Sequence, residues 1–127
     1  MPLKRLSRKI LVVEDEKDIA ETLVWLLKDE GFSAIAAKDG QEALKKIKTT
    51  AFDLVLLDTR LPKISGFEVC RRIRADAKNR DVPVIVMSAF AESEMRSPYG
   101  PLGVKHYFIK PFDFNILKTT IENILVS

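Results

Sequence analysis

Residues 52–58 read Phe52-Asp53-Leu54-Val55-Leu56-Leu57-Asp58, in which Leu54–Leu57 is an unbroken apolar run of strand length that ends on a carboxylate. A strand with one face in water alternates apolar and polar residues. A run without alternation belongs to a strand covered on both faces. Similar runs recur at Ile10–Val13, Ala34–Ala37, Val84–Met87 and Tyr107–Ile109. Helical patterns lie between them. Ile19, Leu23, Leu26 and Leu27 share one stripe. Ala43, Leu44 and Ile47 follow Asp39-Gly40, read as a turn signal. Phe67, Cys70 and Ile73 follow Gly66, and Leu117, Ile121, Ile124 and Leu125 follow Asp113, a suitable N-cap. Strands alternating with helices predict an α/β, doubly wound, five-stranded parallel sheet with helices on both faces. One segment breaks the pattern. Ala89–Met95 starts like a helix, but Ser97-Pro98-Tyr99-Gly100-Pro101 follows. An interior proline costs on the order of 3 kcal/mol and a glycine about 1. The fourth helix is therefore expected to be short or distorted, with a loop behind it.

Composition sets the bounds. A chain of 127 residues, 46% hydrophobic and 31% charged, is the size and kind of one folded domain that needs no disulfide or structural metal. The 21 Lys and Arg against 18 Asp and Glu leave a net charge of +3, a slight bias toward acidic partners. Cys70, the single cysteine, fits a reducing cytosol, and one Cys with one His excludes the usual zinc sites. Lys4, Arg5, Arg8 and Lys9 give a basic start. Residues 1–8 are read as an arm and 9–127 as the domain; these cations are too few for strong salt-dependent nucleic-acid binding. The apolar run at Ile10–Val13 is far shorter than the about 20 residues a membrane span needs. With five glycines and neither a Gly-x-Gly-x-x-Gly nor a Gly-x-x-x-x-Gly-Lys motif, a nucleotide or flavin module of those types is excluded.

The chemistry sits where the strands end. The first run ends in Glu14-Asp15, the third in Asp58, the fourth in Ser88 and the fifth in Lys110. In open α/β sheets, ligands bind beyond the carboxyl ends of the strands. Two carboxylates about 4 Å apart repel by ~4 kcal/mol at an effective dielectric near 20, so gathering three is unfavourable unless a cation joins them. Mg2+ prefers oxygen ligands and bridges carboxylates to phosphate. Lys110 offers a point charge for a phosphate oxygen, Ser88 a hydroxyl, and Asp58 a nucleophile for phosphoryl transfer. An aspartate-nucleophile phosphatase would place a second Asp two residues after the first; here Asp58-Thr59-Arg60 lacks that general acid.

The ordered set resembles the receiver domain of two-component response regulators, including the stand-alone chemotaxis type. The matching stretches are Ile10 to Asp15, Phe52 to Asp58, Leu61 to Phe67, Pro83 to Ala89 and Tyr107 to Phe112. The resemblance implies a flavodoxin-like fold with strand order 2-1-3-4-5. It implies that Asp58 is the phosphoacceptor, that Glu14, Asp15, Asp58 and the carbonyl of Arg60 hold Mg2+, and that Lys110 binds the phosphoryl group. Ser88 and Tyr107 match the conformational switch, and a cis bond is expected before Pro111. Arg60 and Phe90 sit where they would screen the phosphoryl group from water. The implied partners are a sensor histidine kinase or histidine phosphotransfer protein and a downstream protein target. Nucleic acid and membrane insertion are not expected; the expected state is a monomer or weak dimer in the cytoplasm. The domain is expected to be no enzyme beyond assisting its own phosphorylation and dephosphorylation. The alternative is a phosphorylation-independent interaction module on the same fold. Off these motifs, Trp25 falls outside the apolar stripe of its helix, a place for docking a phosphodonor; Cys70 is read as core and His106 as surface.

Overall fold

The computed structural model describes residues 8–126. The elements run β1 (Lys9–Val13), α1 (Lys17–Asp29), β2 (Ser33–Ala37), α2 (Gly40–Thr49), β3 (Leu54–Asp58), α3 (Gly66–Ala75), β4 (Val84–Ser88), α4 (Glu92–Tyr99), a 3-10 turn (Gly100–Leu102), β5 (His106–Ile109) and α5 (Phe114–Val126). The strands form one parallel sheet in the order β2-β1-β3-β4-β5, as expected. No described helix is long and apolar enough to cross a membrane.

The continuous apolar runs are explained by two cores, one on each face of the sheet. Leu11, Val13, Val55, Leu57, Val84 and Val86 point to one core with Ala43, Ile47, Val69, Cys70, Ile73, Met95 and Tyr99. Their strand neighbours Ile10, Val12, Leu54, Leu56, Ile85 and Met87 point to the other, with Leu23, Leu27, Leu117 and Ile121. Alternation of side chains along a strand thus feeds both faces with apolar groups. The register places the strand ends level: Val13 pairs with Leu57, Asp58 with Met87, and Ser88 with Ile109.

Helix starts are fixed locally. Asp39 is an N-cap, not a free turn: its carboxylate accepts from the Glu42 amide at 2.8 Å, while Glu42 Oε1 accepts from the amide of Lys38, the residue before the cap, at 3.0 Å. Ser65 caps α3 by accepting from Glu68 N, and Asp113 caps α5 by accepting from Asn115 N. Gly66 follows its cap because only glycine fits: a Cβ there would stand 2.5 Å from the Asp58 carbonyl oxygen.

Two expectations need correction. Phe67 was read onto the buried stripe of α3, yet it is 38% exposed; Val69, Cys70 and Ile73 are the buried line, and Phe67 sits edge-to-face on Tyr99. The fourth helix is short, as expected, but it does not give way to a loop at Ser97. It runs through Pro98 and tightens into the 3-10 turn. Burial of Met95 and Tyr99 holds this stretch against the proline's cost, and Gly103 ends it in a left-handed conformation at φ 81°. Residues 1–7 of the expected arm lie outside the described residues. Its last member, Arg8, donates to the Leu125 carbonyl at 2.9 Å and lies 3.8 Å from Asp53.

Candidate functional site

The carboxyl edge of the sheet gathers the charged strand ends. Carboxylate oxygens of Glu14, Asp15 and Asp58 all lie within 4.8 Å of one another. Glu14 and Asp58 are buried and Asp15 is exposed. Lys110 Nζ donates to Glu14 Oε1 at 2.6 Å and lies 3.4 Å from Asp58 Oδ1. Glu14 also accepts from the Glu16 amide at 3.2 Å.

Burial dominates the electrostatics. It pushes the Glu14 carboxyl above the ordinary range; the Lys110 hydrogen bond opposes this and the Asp58 charge adds to it. Burial likewise raises Asp58, against the Lys110 charge and the Arg60 amide and with repulsion from Asp15. Lys110 is raised overall: burial alone would lower it, but its hydrogen bond to Glu14 and the Asp58 charge prevail. Two buried carboxyls held up in this way, facing a third, form an oxygen-donor set of the kind a hard divalent cation takes. One lysine does not neutralise three acids, so the fit is chemical as well as geometric.

Ser88 is fully buried at the end of β4. Its oxygen accepts from Thr59 Oγ1 at 2.9 Å and from the Phe90 amide at 3.0 Å. Both bonds use its lone pairs, which leaves its own proton uncommitted. The Lys110 amide donates to the Ser88 carbonyl at 2.7 Å, extending the β4–β5 ladder to the site. The peptide bond between Lys110 and Pro111 is cis. The Arg60 guanidinium lies 4.5 Å from the centroid of the Phe90 ring, so the two loops meet across the mouth of the cleft.

Tyr107 is not in this cluster. It lies half-buried on the α4 side of β5, with its hydroxyl donating to the Val104 carbonyl at 2.9 Å and Arg96 5.4 Å from its ring centroid. Cys70 is buried core, while Trp25 stands 66% exposed on α1. Two residues escaped the sequence reading. Thr59 was given no role, since the missing second aspartate concerned Arg60, yet Thr59 ties the Asp58 strand to Ser88. Tyr99 was read as part of a helix-breaking run, yet it is 4% exposed and plugs α4 onto α3 beneath Asp58.

A parallel 2-1-3-4-5 sheet with this polar carboxyl edge defines a flavodoxin-like α/β domain. The sequence model of the response regulator receiver domain matches residues 10–122, and the chain belongs to that family. Receiver domains are phosphoacceptor signalling modules of two-component systems. Among curated relatives, the alkaline phosphatase synthesis transcriptional regulatory protein PhoP of Bacillus subtilis is 37% identical over 120 residues, covering 94% of this chain and 49% of PhoP. The chain spans about half the length of the curated relatives it matches. Among solved structures, chemotaxis protein CheY4 of Vibrio cholerae superposes with a TM-score of 0.87 at 26% identity, covering 92% of this chain and 98% of CheY4. Response regulator TrrA of Thermotoga maritima, solved in complex with Mg2+–BeF, superposes with a TM-score of 0.81 at 36% identity, covering 92% and 98%.

Proposed function

We propose that this domain is a phosphorylatable switch in which Asp58 accepts a phosphoryl group from a sensor histidine kinase or a histidine phosphotransfer protein. The observation that carries the reading is the cluster of Glu14, Asp15 and Asp58 against Lys110. An Asp58 carboxylate oxygen attacks phosphorus, the bond from phosphorus to the donor's imidazole nitrogen breaks, and an acyl phosphate forms. Glu14, Asp15, Asp58 and the Arg60 carbonyl are the proposed Mg2+ holders. Bound Mg2+ would neutralise the acid cluster and the phosphoryl oxygens. Lys110 holds one phosphoryl oxygen by charge, and the free proton of Ser88 is donated to another. Arg60 stacked on Phe90 shields the group from water.

Drawing Ser88 toward the phosphoryl group strains its bonds from Thr59 and Phe90 N. Tyr107 and α4, on the same face as β4's Val86, respond, and the altered α4–β5–α5 face binds a downstream protein target. The domain works in the cytoplasm as a monomer or weak dimer. The test is a titration of the isotope-labelled chain with Mg2+ and beryllofluoride, read by amide NMR. The reading expects slow-exchange shifts at Asp15, Thr59, Ser88, Ala89, Tyr107 and Lys110 that vanish in Asp58→Asn. Unchanged shifts in that variant would refute it.

A further inference from the structure

A groove of about 480 Å3 opens between α2 and α3, with none of Glu14, Asp15 and Asp58 in its lining. Its floor is Leu44 and Ile64, both half-buried, and its rim carries Lys45, Lys48, Lys63 and Arg72 without a single acid. The loop from β3 to α3 builds one wall. Ile64 presses against the start of α2 so closely that a Cβ on Gly40 would stand 2.8 Å from the Ile64 Cβ. Lys63 takes a left-handed backbone at φ 70°, a conformation that costs a non-glycine residue energy. Its ammonium reaches within 3.5 Å of the Asp39 cap, and Arg72 is paired with Glu68 at 2.9 Å. Among the described residues, Lys45 and Lys48 have no ion pair, and both are exposed.

We propose that this groove docks an acidic segment of a partner protein that carries an aliphatic anchor residue. Charge complementarity selects the class. The cations ring an apolar floor, so the occupant needs carboxylates outside and one aliphatic side chain inside. No aromatic lines the groove for stacking bases, and four cations around a hollow make no track for a nucleic-acid backbone. A bilayer is disfavoured because the apolar floor is recessed behind the rim. One wall is Lys63 and Ile64, so the docked segment touches two of the seven residues, 59–65, that connect the acidic edge to α3. The inference stands on this geometry whether or not Asp58 is phosphorylated.

The probe is a synthetic peptide of glutamates flanking one central leucine, titrated into the isotope-labelled full chain. Shifts are expected at the amides of Gln41, Leu44, Lys45, Lys48 and Ile64. Replacing the peptide's leucine by serine should weaken binding about tenfold or more, the worth of one buried aliphatic anchor. Lys45→Glu combined with Lys48→Glu should weaken it about tenfold with an unchanged circular dichroism spectrum, since both side chains are exposed. No shifts at millimolar peptide, shifts centred elsewhere, or a double variant that binds equally well would each overturn the proposal. So would oligothymidine or phosphatidylserine vesicles binding the groove more tightly than the peptide. Self-association that fills the groove, seen by sedimentation, would overturn it in favour of a second copy of the chain.

Discussion

Helices α2 and α3 cover the same face of the sheet as α4, yet they are held quite differently. Asp39 caps α2, with Glu42 reaching back to the Lys38 amide, and Ser65 caps α3. Gly66 lets α3 start in contact with the Asp58 backbone. The strands beneath them, β1 and β3, are buried almost throughout. By contrast, α4 starts at Ala91 with no side-chain cap, contains Pro98 and passes into a 3-10 turn. Its neighbour β5 is half-buried to exposed, with Ile109 at 47%. The half that carries the acids is locked; the half that carries Tyr107 is held loosely. The proposed switch would use this division, with the acid cage fixed and the α4–β5 face free to shift.

Breaking the locked half should cost most. Leu57→Ala removes a fully buried side chain beside Asp58 and is expected to cost about 2–5 kcal/mol in urea unfolding. The exposed Ile109→Ala on β5 should cost under about 1 kcal/mol. Equal losses would erase the contrast.

The acidic edge is the exception inside the locked half, since it trades stability for binding. Asp58→Asn removes one of three facing carboxylates and should stabilise the metal-free protein by about 1–2 kcal/mol. Mg2+ should raise the melting temperature of the wild type, with EDTA reversing the gain, and leave Asp58→Asn little changed. Destabilisation of the metal-free variant would mean that the three acids do not repel one another as described.

The cap on α2 sharpens the comparison through pH. The Glu42 amide holds the buried Asp39 carboxyl below its ordinary value, more strongly than burial raises it. A lowered folded-state pKa contributes stability that is present above the unfolded value and lost as pH falls through the folded one. Asp39→Ala should therefore cost about 1 kcal/mol at pH 7 and progressively less below about pH 4. A cost independent of pH would argue against the charged cap. The smallest effect is expected on the loose side. Pro98 is the last residue but one of α4 and also restricts the unfolded chain, so Pro98→Ala should recover only about 0.5–1 kcal/mol of the ~3 kcal/mol a mid-helix proline costs. Hydrogen exchange should slow in α4 and stay unchanged in α2 and α3.

The sequence carried most of this wherever burial writes a pattern. Leu54 to Leu57 reads as a two-faced strand because both cores claim its side chains. Glu14, Asp15, Asp58, Ser88 and Lys110 were legible as strand ends, since parallel strands deliver their last residues to one edge. What stayed hidden depends on register and packing. Thr59 reaches Ser88 only because β3 and β4 run level, a fact with no local signal. Pro98 sits inside a helix because the burial of Met95 and Tyr99 outweighs a local cost that propensity alone takes as decisive. The left-handed Lys63 has no glycine or asparagine to announce it.

The most direct test is intact-mass spectrometry after incubation with acetyl phosphate and Mg2+, followed by peptide mapping. The account predicts a gain of one phosphoryl group on the wild type, mapped to Asp58, lost in Asp58→Asn and abolished by EDTA. A wild type that gains nothing, or a gain that survives Asp58→Asn, would contradict it.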